Sequence, residues 1–151
     1  MQAYEIMKKQ VIKVKETNSV RCVIKKFIEH GVSGIPVVND QNKIVAYISD
    51  GDIIRFIGKN RNYVIDMIAF VSIVQGDDVN FEERAKQMLD LNVLEIANKK
   101  VIKAAWDEEI ENIAAILGKK KVKNLPVERD GELVGVISRG DIIRCSFRSL
   151  L

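Results

Sequence analysis

Residues 49 to 55 read Ser-Asp-Gly-Asp-Ile-Ile-Arg, and residues 138 to 144 read Ser-Arg-Gly-Asp-Ile-Ile-Arg. The agreement extends upstream, where residues 3 to 40 match residues 93 to 130 at an offset of 90. Identical pairs in that stretch include Glu5 with Glu95, Val37 with Val127 and Asp40 with Asp130. A tandem pair of such short units indicates that each leaves an apolar face for the other to cover. We therefore expect the functional site to lie between the two copies.

The composition is typical of an ordinary soluble globular protein. The chain has 151 residues, of which 47% are hydrophobic, enough to bury a substantial core. Its formal net charge of +3 is too weak to indicate a nucleic-acid partner, although it permits an anionic small ligand. No apolar run approaches the roughly 18 residues of a membrane span, and the N-terminus lacks a secretory signal. We expect a cytoplasmic protein with no membrane partner, in which Cys22 and Cys145 are reduced.

The first copy predicts the order strand, helix, strand, strand, helix. Apolar residues at helical spacing indicate a helix that begins after an N-cap at Thr17 and ends at Gly31. That stripe consists of Val20, Val23, Ile24, Phe27 and Ile28. The other predicted elements are strands at residues 11 to 14, 35 to 38 and 44 to 48, a turn at residues 39 to 42, and a helix at residues 50 to 57.

The second copy repeats these signals with different residues. Asp107 is the expected N-cap of a helix whose apolar stripe is Ile110, Ile113, Ala114 and Leu117. Asp130-Gly131 is the usual signature of a two-residue hairpin turn, and the strand at residues 133 to 137 follows it. The fold class predicted by both copies is α/β.

A segment between the copies is too long for a simple linker. We divide the chain into a first repeat at residues 1–57, a helical insert at residues 58–92 and a second repeat at residues 93–151. Tyr63 to Val74 is apolar around most of a helix circumference, and Asn80 with Glu83 predicts the start of a second helix. That second helix carries Phe81, Ala85, Met88 and Leu89. The insert either packs on its own domain or forms a surface for a dimer or a partner protein.

These features together resemble a tandem pair of CBS domains, the Bateman module, in a free-standing CBS domain protein. The resemblance is carried by Gly-Val-Ser-Gly-Ile-Pro-Val-Val at residues 31 to 38, by the lead-in at residues 5 to 7, and by Ser-x-x-Asp at residues 49 to 52 and 138 to 141. It implies a non-catalytic sensor whose two repeats pack through their sheets and form two clefts. The family's ligands are adenosyl compounds such as AMP, ADP, ATP or S-adenosylmethionine. Modules of this kind commonly pair into a flat homodimer.

The chemistry of Ser-x-x-Asp supports two interpretations. Ser49 and Ser138 lie where a strand runs into a helix, so their hydroxyls are beside free N–H groups that attract phosphate. The resemblance implies that Asp52 and Asp141 hold the ribose hydroxyls. The alternative is structural, because Ser-x-x-Asp has the spacing of a capping box that stabilises the helix alone. The duplication favours the ribose and phosphate site.

The resemblance implies further ligand contacts. Val32 and Val122, four residues before Pro36 and Pro126, match the family's position beside the adenine. The other wall of that pocket corresponds to Ile12 and Ile102, although these apolar side chains suit a plain core equally well. Candidate phosphate contacts in the second copy are Arg139, Arg144, Lys121 and Lys123. The first copy has Asp50 in place of Arg139, so the two clefts need not bind phosphate equally.

Catalysis has little support in the sequence. His30 is the single histidine and lies at a helix end, and glycine-rich phosphate loops and metal-type clusters are absent from the sequence. We therefore predict no catalytic residue, no metal and no required cofactor. The predicted function is a sensor that binds an adenine nucleotide and signals through its homodimer or through a regulated partner protein. The alternative is a dimerisation or adaptor protein that needs no ligand.

Overall fold

The computed structural model describes residues 1–58, 80–119 and 122–151, and it confirms the α/β repeat pair. The first half contains helices α1 (Ala3–Ile6), α2 (Val20–His30) and α3 (Asp50–Ile57) with strands β1 (Val14–Lys15), β2 (Gly34–Val38) and β3 (Ile44–Ser49). The second half contains α4 (Phe81–Leu89), a 3₁₀ turn (Val93–Glu95), α5 (Ile110–Lys119) and α6 (Arg139–Phe147), with β4 (Ala104–Ala105), β5 (Asn124–Arg129) and β6 (Glu132–Ser138). The helix at residues 50 to 57 has the predicted limits.

Each repeat forms a three-stranded sheet of the same topology. The strand orders are β1-β2-β3 and β4-β5-β6, with the first pair parallel and the second antiparallel in each sheet. Val14 pairs with Val37, and Ala104 pairs with Val127, so the register is conserved between the copies. The predicted hairpin turn is confirmed, because Asp130 and Gly131 both have positive φ values, 52° and 82°.

The first strand is shorter than predicted and lies further along the chain. Residues 11 to 14 were expected to form it, but β1 contains only Val14 and Lys15. These two residues are the ones that find parallel partners, Val37 and Val38, in β2. Residues 11 and 12 are apolar because they are partly buried, and they do not pair with any strand that the structure describes.

The helix α2 begins two residues later than an N-cap at Thr17 would place it. Ser19 occupies the N-cap position in extended conformation, because residues 15 to 18 form a turn in which the Asn18 N–H donates to the Lys15 carbonyl. The predicted end is confirmed, since Gly31 adopts the left-handed conformation with φ 62°. The predicted stripe faces the core except for Ile28, which is 79% exposed.

The helix α5 shows the same displacement. It begins at Ile110 and not directly after Asp107, because the Glu108 N–H closes a turn on the Ala105 carbonyl. Its stripe is confirmed, since Ile113 and Leu117 are buried in the second core. In both repeats a turn follows the first strand and determines where the helix can start. The helix propensities of the residues did not predict this turn.

Each repeat has its own hydrophobic core. The first contains Ile35 and Ile48 from its sheet and Met88 from α4, which is 1% exposed. Asn80 caps α4 as predicted by accepting a hydrogen bond from the Glu83 N–H. Phe81, the first apolar residue of that helix, is 60% exposed. Part of the predicted insert thus packs on the first repeat. The apolar stretch from Tyr63 to Val74 lies outside the described residues.

The segments that lead into the two repeats, residues 3–8 and 93–98, are exchanged: each packs against the other repeat. We call these segments the first and second lead-in. Ala3 of α1 is fully buried in the second core, and Val93 of the 3₁₀ turn is fully buried in the first. Lys8 pairs through its backbone with Val136 of β6, at distances of 2.9 and 3.0 Å. Asn98, which matches Lys8 in the repeat alignment, pairs in the same way with β3. Each repeat is therefore completed by chain that precedes the other repeat.

Candidate functional site: two clefts between the repeats

Both Ser-x-x-Asp sequences form the junction between a strand and a helix, and both form a capping box. Ser49 ends β3, and its N–H and hydroxyl donate to the Asp52 Oδ2 at 2.9 and 3.1 Å. Ser138 ends β6, and its N–H and hydroxyl both donate to the Asp141 Oδ2 at 2.8 Å. The capping interpretation is therefore correct for the local structure. It leaves the second carboxylate oxygen of each aspartate, Oδ1, for other partners.

An arginine one turn further along the helix uses that second oxygen. Arg55 donates to Asp52 Oδ1 and Arg144 donates to Asp141 Oδ1, so the duplicated Ile-Ile-Arg ends in a duplicated ion pair. The two arginine side chains are 60% and 61% exposed, so water can replace the carboxylate at little cost. The helix termini and their arginines are the same in both copies. Their surroundings differ.

The first cleft is the cavity beside Asp52, with a volume of about 320 Å³. It combines residues from both repeats. The first repeat contributes Ser49 and Asp52, while the second contributes Ile102, Val122 and Pro126. A polar helix start therefore faces an apolar wall, as an adenosyl ligand would require. Six of the residues predicted from the sequence meet here, including the phosphate candidate Lys123.

The second cleft is the more open cavity beside Ser138, with a volume of about 430 Å³. Its walls include Val32, Ser138 and Arg139 from the predicted set, together with Lys8 of the exchanged lead-in. Four other predicted residues are not among the described residues that line this cavity, namely Ile12, Pro36, Asp141 and Arg144. Ile12 packs against the first core, Pro36 is buried in β2, and Asp141 is 7% exposed.

Several cleft residues were not predicted, and Tyr47 is the main one. It lines the first cleft two residues before Ser49, where the alternation of β3 places both side chains on one face. That alternation could have identified it. Gly34 makes room for the ring, since a Cβ there would lie 2.1 Å from the Tyr47 hydroxyl oxygen. Other unpredicted residues that line the first cleft are Ser33, Asn98, Lys100 and Asn124.

The Tyr47 hydroxyl of the first repeat forms a hydrogen bond with the Asn124 side chain of the second repeat. Burial raises the pKa of Tyr47 to about 12, a hydrogen bond with the Asn124 side chain lowers it, and the charges of Asp50 and Asp52 raise it. The phenol is therefore neutral at physiological pH and fixed beside the carboxylates. Val136 takes its place in the second repeat, so the second cleft has no such group at this position.

The charges around the two clefts differ. Arg55, Lys100 and Lys123 line the first cleft together with two carboxylates, Asp50 and Asp52. Asp50 accepts a hydrogen bond from the Gly51 N–H at 2.7 Å, and thus uses a donor at the helix start that could otherwise bind phosphate.

The corresponding position of the second cleft is basic. Lys8, Lys123 and Arg139 line that cavity, and Arg139 replaces the carboxylate of Asp50. Lys123 borders both clefts, and its Nζ lies 4.0 Å from the Asp50 Oδ2. The first cleft is therefore close to balanced in charge, and the second is strongly positive. Lys121, the remaining candidate for phosphate, lies outside the described residues.

Asp141 has a second cationic neighbour, whereas the ion pair of Asp52 within the described ranges is with Arg55. The Nζ of Lys8 lies 3.5 Å from the Asp141 Oδ1, and the aspartate side chain is only 8% exposed. Burial raises the pKa of Asp141, but the Ser138 hydrogen bonds, Lys8 and Arg144 outweigh burial and lower it below its usual value of 3.8. Asp141 is therefore held firmly as an anion.

Two structural features are absent from the described part of the chain. Among residues 1–58, 80–119 and 122–151, no helix is long and apolar enough to cross a membrane. Within the same ranges, no three histidine, cysteine or acidic side chains are grouped closely enough to hold a metal ion.

Comparison with known proteins agrees with the fold and with the duplication. The family model of the CBS domain matches residues 3–59 and 93–148, which is most of the chain. The chain therefore belongs to the CBS domain family, as the resemblance predicted, and contains a tandem pair of these domains. Proteins with CBS pairs are generally regulatory and non-catalytic.

One relative and two solved structures are similar to this chain over nearly its whole length. The chain is 34% identical over 147 residues to the uncharacterized protein MJ1426 of Methanocaldococcus jannaschii, and the match covers 92% of this chain and 87% of that protein. The structure of CBSX2 in complex with AMP, a protein known from Arabidopsis thaliana, superposes with a TM-score of 0.73 at 21% identity, covering 99% and 98% of the two chains. The CBS domain pair of protein MJ0100, in complex with 5′-methylthioadenosine and S-adenosyl-L-methionine, superposes with a TM-score of 0.68 at 21% identity and the same coverage. Both solved structures have the fold of a CBS domain pair.

Proposed function

We propose that this protein is a non-catalytic sensor that binds an adenosyl ligand between its two CBS repeats. The observation that carries the proposal is the composition of the first cleft. The polar start of α3, with Ser49 and Asp52, faces the apolar Ile102 and Val122 across a cavity of about 320 Å³. A volume of this size is at the lower end of ordinary small-molecule sites.

Each part of an adenosyl ligand has a complementary group in that cleft. Ile102 and Val122 offer apolar surface to the two faces of an adenine. The Asp52 carboxylate is an acceptor for ribose hydroxyls, and its Arg55 partner is exposed enough to move aside. Lys100 and Lys123 are available to a short anionic group. The bound AMP in CBSX2 and the adenosyl ligands in MJ0100 support the same class of ligand for this chain.

We further propose that the signal passes through a homodimer or a regulated partner protein. Ile54 of α3 and Ile143 of α6 occupy matching positions, and they are 61% and 58% exposed. Two equivalent apolar side chains on the outer faces of the helices that form the clefts suit a self-complementary interface. Such an interface would connect ligand occupancy at the helix starts with the association of subunits.

A second candidate function is ligand-independent dimerisation or scaffolding. The capping boxes favour it, because Ser49 and Asp52 already satisfy each other in the absence of ligand. In that case the exposed Ile54 and Ile143 would be the working surface, and the clefts would be incidental to the packing of the two repeats.

Thermal unfolding with a ligand panel distinguishes the two functions. We expect adenosine, AMP, ADP, ATP or S-adenosylmethionine to stabilise the fold, with GTP as the non-adenine control. Ligand at 100 times its Kd adds about 2.7 kcal/mol to the free energy of unfolding, which raises Tm by roughly 5–10 °C for a chain of this size. If no adenosyl compound at millimolar concentration raises Tm, the sensor function is wrong and the scaffold function is favoured.

A further inference from the structure

We infer that Lys8 closes the second cleft to ribose, so that the chain binds a single adenosyl ligand, in the first cleft. The inference rests on the proposed function and assigns it to one of two clefts that the duplication alone makes equivalent. Its basis is the set of hydrogen-bond donors and cations that already face each aspartate. A carboxylate offers about four lone-pair positions.

Asp52 keeps one of these positions open among the described residues. Its Oδ2 accepts from the Ser49 N–H and hydroxyl, and its Oδ1 accepts from Arg55. One ribose hydroxyl can therefore bind to Oδ1 without displacing any group. The adjacent hydroxyl needs only the solvent-exposed Arg55 to turn away.

Asp141 accepts the same three hydrogen bonds as Asp52, and a second cation also faces its Oδ1. Ser138 supplies two donors to Oδ2, and Arg144 and Lys8 both face Oδ1, with the Lys8 Nζ at 3.5 Å. A ribose that uses the Asp141 Oδ1 would therefore have to displace two cations, whereas at Asp52 it displaces only Arg55. The side-chain exposures agree with this difference, because they are 15% for Asp52 and 8% for Asp141.

The backbone explains why Lys8 reaches Asp141 and why the matching residue of the second lead-in does not do the same at Asp52. Lys8 is held against β6 by its two hydrogen bonds with Val136, three residues after which the α6 helix starts. The matching residue of the second lead-in is Asn98, which is held against Tyr47 of β3. The Oδ1 of Asn98 accepts from the Lys100 N–H at 2.9 Å, so that side chain is engaged within its own segment. The difference in cationic neighbours between the two aspartates therefore comes from one exchanged position.

The experiment is a calorimetric titration of the full chain with AMP and with adenosine. Adenosine has the ribose hydroxyls but no phosphate, so it isolates the contact in question. We expect one site per chain in the parent protein. Lys8→Asn, which installs the residue found at position 98, should open the second cleft and raise the stoichiometry to two. Lys9→Asn is the matched control, because it removes the same charge from a neighbouring exposed position, and it should leave one site.

The reciprocal variant tests the first cleft. Asn98→Lys should weaken adenosine binding by at least about tenfold, and circular dichroism would establish that the variant folds. Two equal sites in the parent chain would overturn the inference while leaving the proposed function in place. A stoichiometry of one in both parent and Lys8→Asn, with Asn98→Lys unaffected, would also overturn it. Absence of any binding by AMP, adenosine or the other panel ligands would overturn the proposed function itself, and the inference with it.

Discussion

The ring of Tyr4 lies 4.9 Å from the ring of Trp106, although the two residues belong to the lead-in of the first repeat and to the body of the second. The guanidinium of Arg129 lies 4.1 Å from the centre of the same indole. This cluster fastens the exchanged lead-in to the second repeat through aromatic and cation–π contacts. The exchange makes each repeat depend on the other for its stability.

The exchange predicts that a change in the first lead-in destabilises the second repeat. Ala3 is fully buried in the second core, so Ala3→Leu should overpack it and lower the free energy of unfolding by about 1–3 kcal/mol. Trp106 is the only tryptophan of the chain, so its fluorescence reports this repeat directly during urea unfolding. Tyr4→Phe, which keeps the ring, serves as the control. A parent-like midpoint for Ala3→Leu would argue against the exchange.

The contact between Gly34 and Tyr47 predicts a compensating pair of substitutions. Gly34→Ala places a Cβ 2.1 Å from the Tyr47 hydroxyl oxygen, and the required shift should lower the free energy of unfolding by about 1–3 kcal/mol. Tyr47→Val, which copies Val136 of the second repeat, removes the obstacle. The double variant should therefore lose less stability than the two single changes add up to in a thermal double-mutant cycle. Strict additivity would mean that the ring does not lie over Gly34.

Asp141 should contribute to the loss of stability in acid. Its folded pKa lies below 3.8, so its contribution is complete above the unfolded pKa and disappears as the pH falls through the folded value. We expect the free energy of unfolding to fall between about pH 5 and pH 2, and Asp141→Asn to flatten part of this decline. At pH 7 the same variant should lose about 1–3 kcal/mol. Urea unfolding at several pH values measures both effects.

The matched control for the acid experiment is Glu111→Gln, which neutralises an exposed carboxylate on α5. It should preserve the parent's pH profile. If Asp141→Asn also retains the full decline, the Ser138, Lys8 and Arg144 contacts do not stabilise the charged carboxylate.

Asp50 should limit the affinity of the first cleft for phosphate. Its carboxylate accepts from the Gly51 N–H at the helix start and repels an anionic group placed there. We expect Asp50→Asn to strengthen ATP binding by roughly five- to tenfold, as removal of one nearby charge allows, and to change adenosine binding little. Calorimetric titration of both ligands gives the comparison. Equal changes for ATP and adenosine would indicate that Asp50 acts on the shape of the cleft instead.

The exposed isoleucines predict the surface through which subunits associate. Ile54→Lys should convert the proposed dimer to a monomer, because it places a charge in the centre of an apolar contact. Ile28→Lys is the control, since Ile28 is 79% exposed on α2, away from the matching helices. Light scattering with a parallel ligand titration measures both. A dimer that survives Ile54→Lys would exclude this helix from the interface.

Local signals in the sequence were sufficient for most of the secondary structure. The apolar stripe and Gly31 predicted the body and the end of α2, and the Asp130-Gly131 pair predicted the hairpin, because these features depend on neighbouring residues alone. The starts of α2 and α5 were predicted too early. They depend on turns that close against β1 and β4, and propensity at Thr17 and Asp107 carries no information about those turns.

The duplicated Ser-x-x-Asp motif also identified the two helix starts at which the clefts lie. Its spacing predicted a ligand-binding role and a helix-capping role, and the capping role is present in both copies. Alternation along β3 would have added Tyr47 to the predicted residues, because the side chain two positions before Ser49 must lie on the same face.

The sequence by itself determined that there are two equivalent units, where their strands and helices lie, and which helix starts carry polar side chains. Tertiary structure alone decided that Ser49 and Asp52 face Val122 and Ile102 of the other repeat, and that Lys8 reaches Asp141. The physical reason is that an internal alignment relates positions within each copy and leaves open which copy covers which face. Two similar units satisfy the same local patterns whether their lead-ins stay or exchange, and only the packing of the complete chain distinguishes the two arrangements.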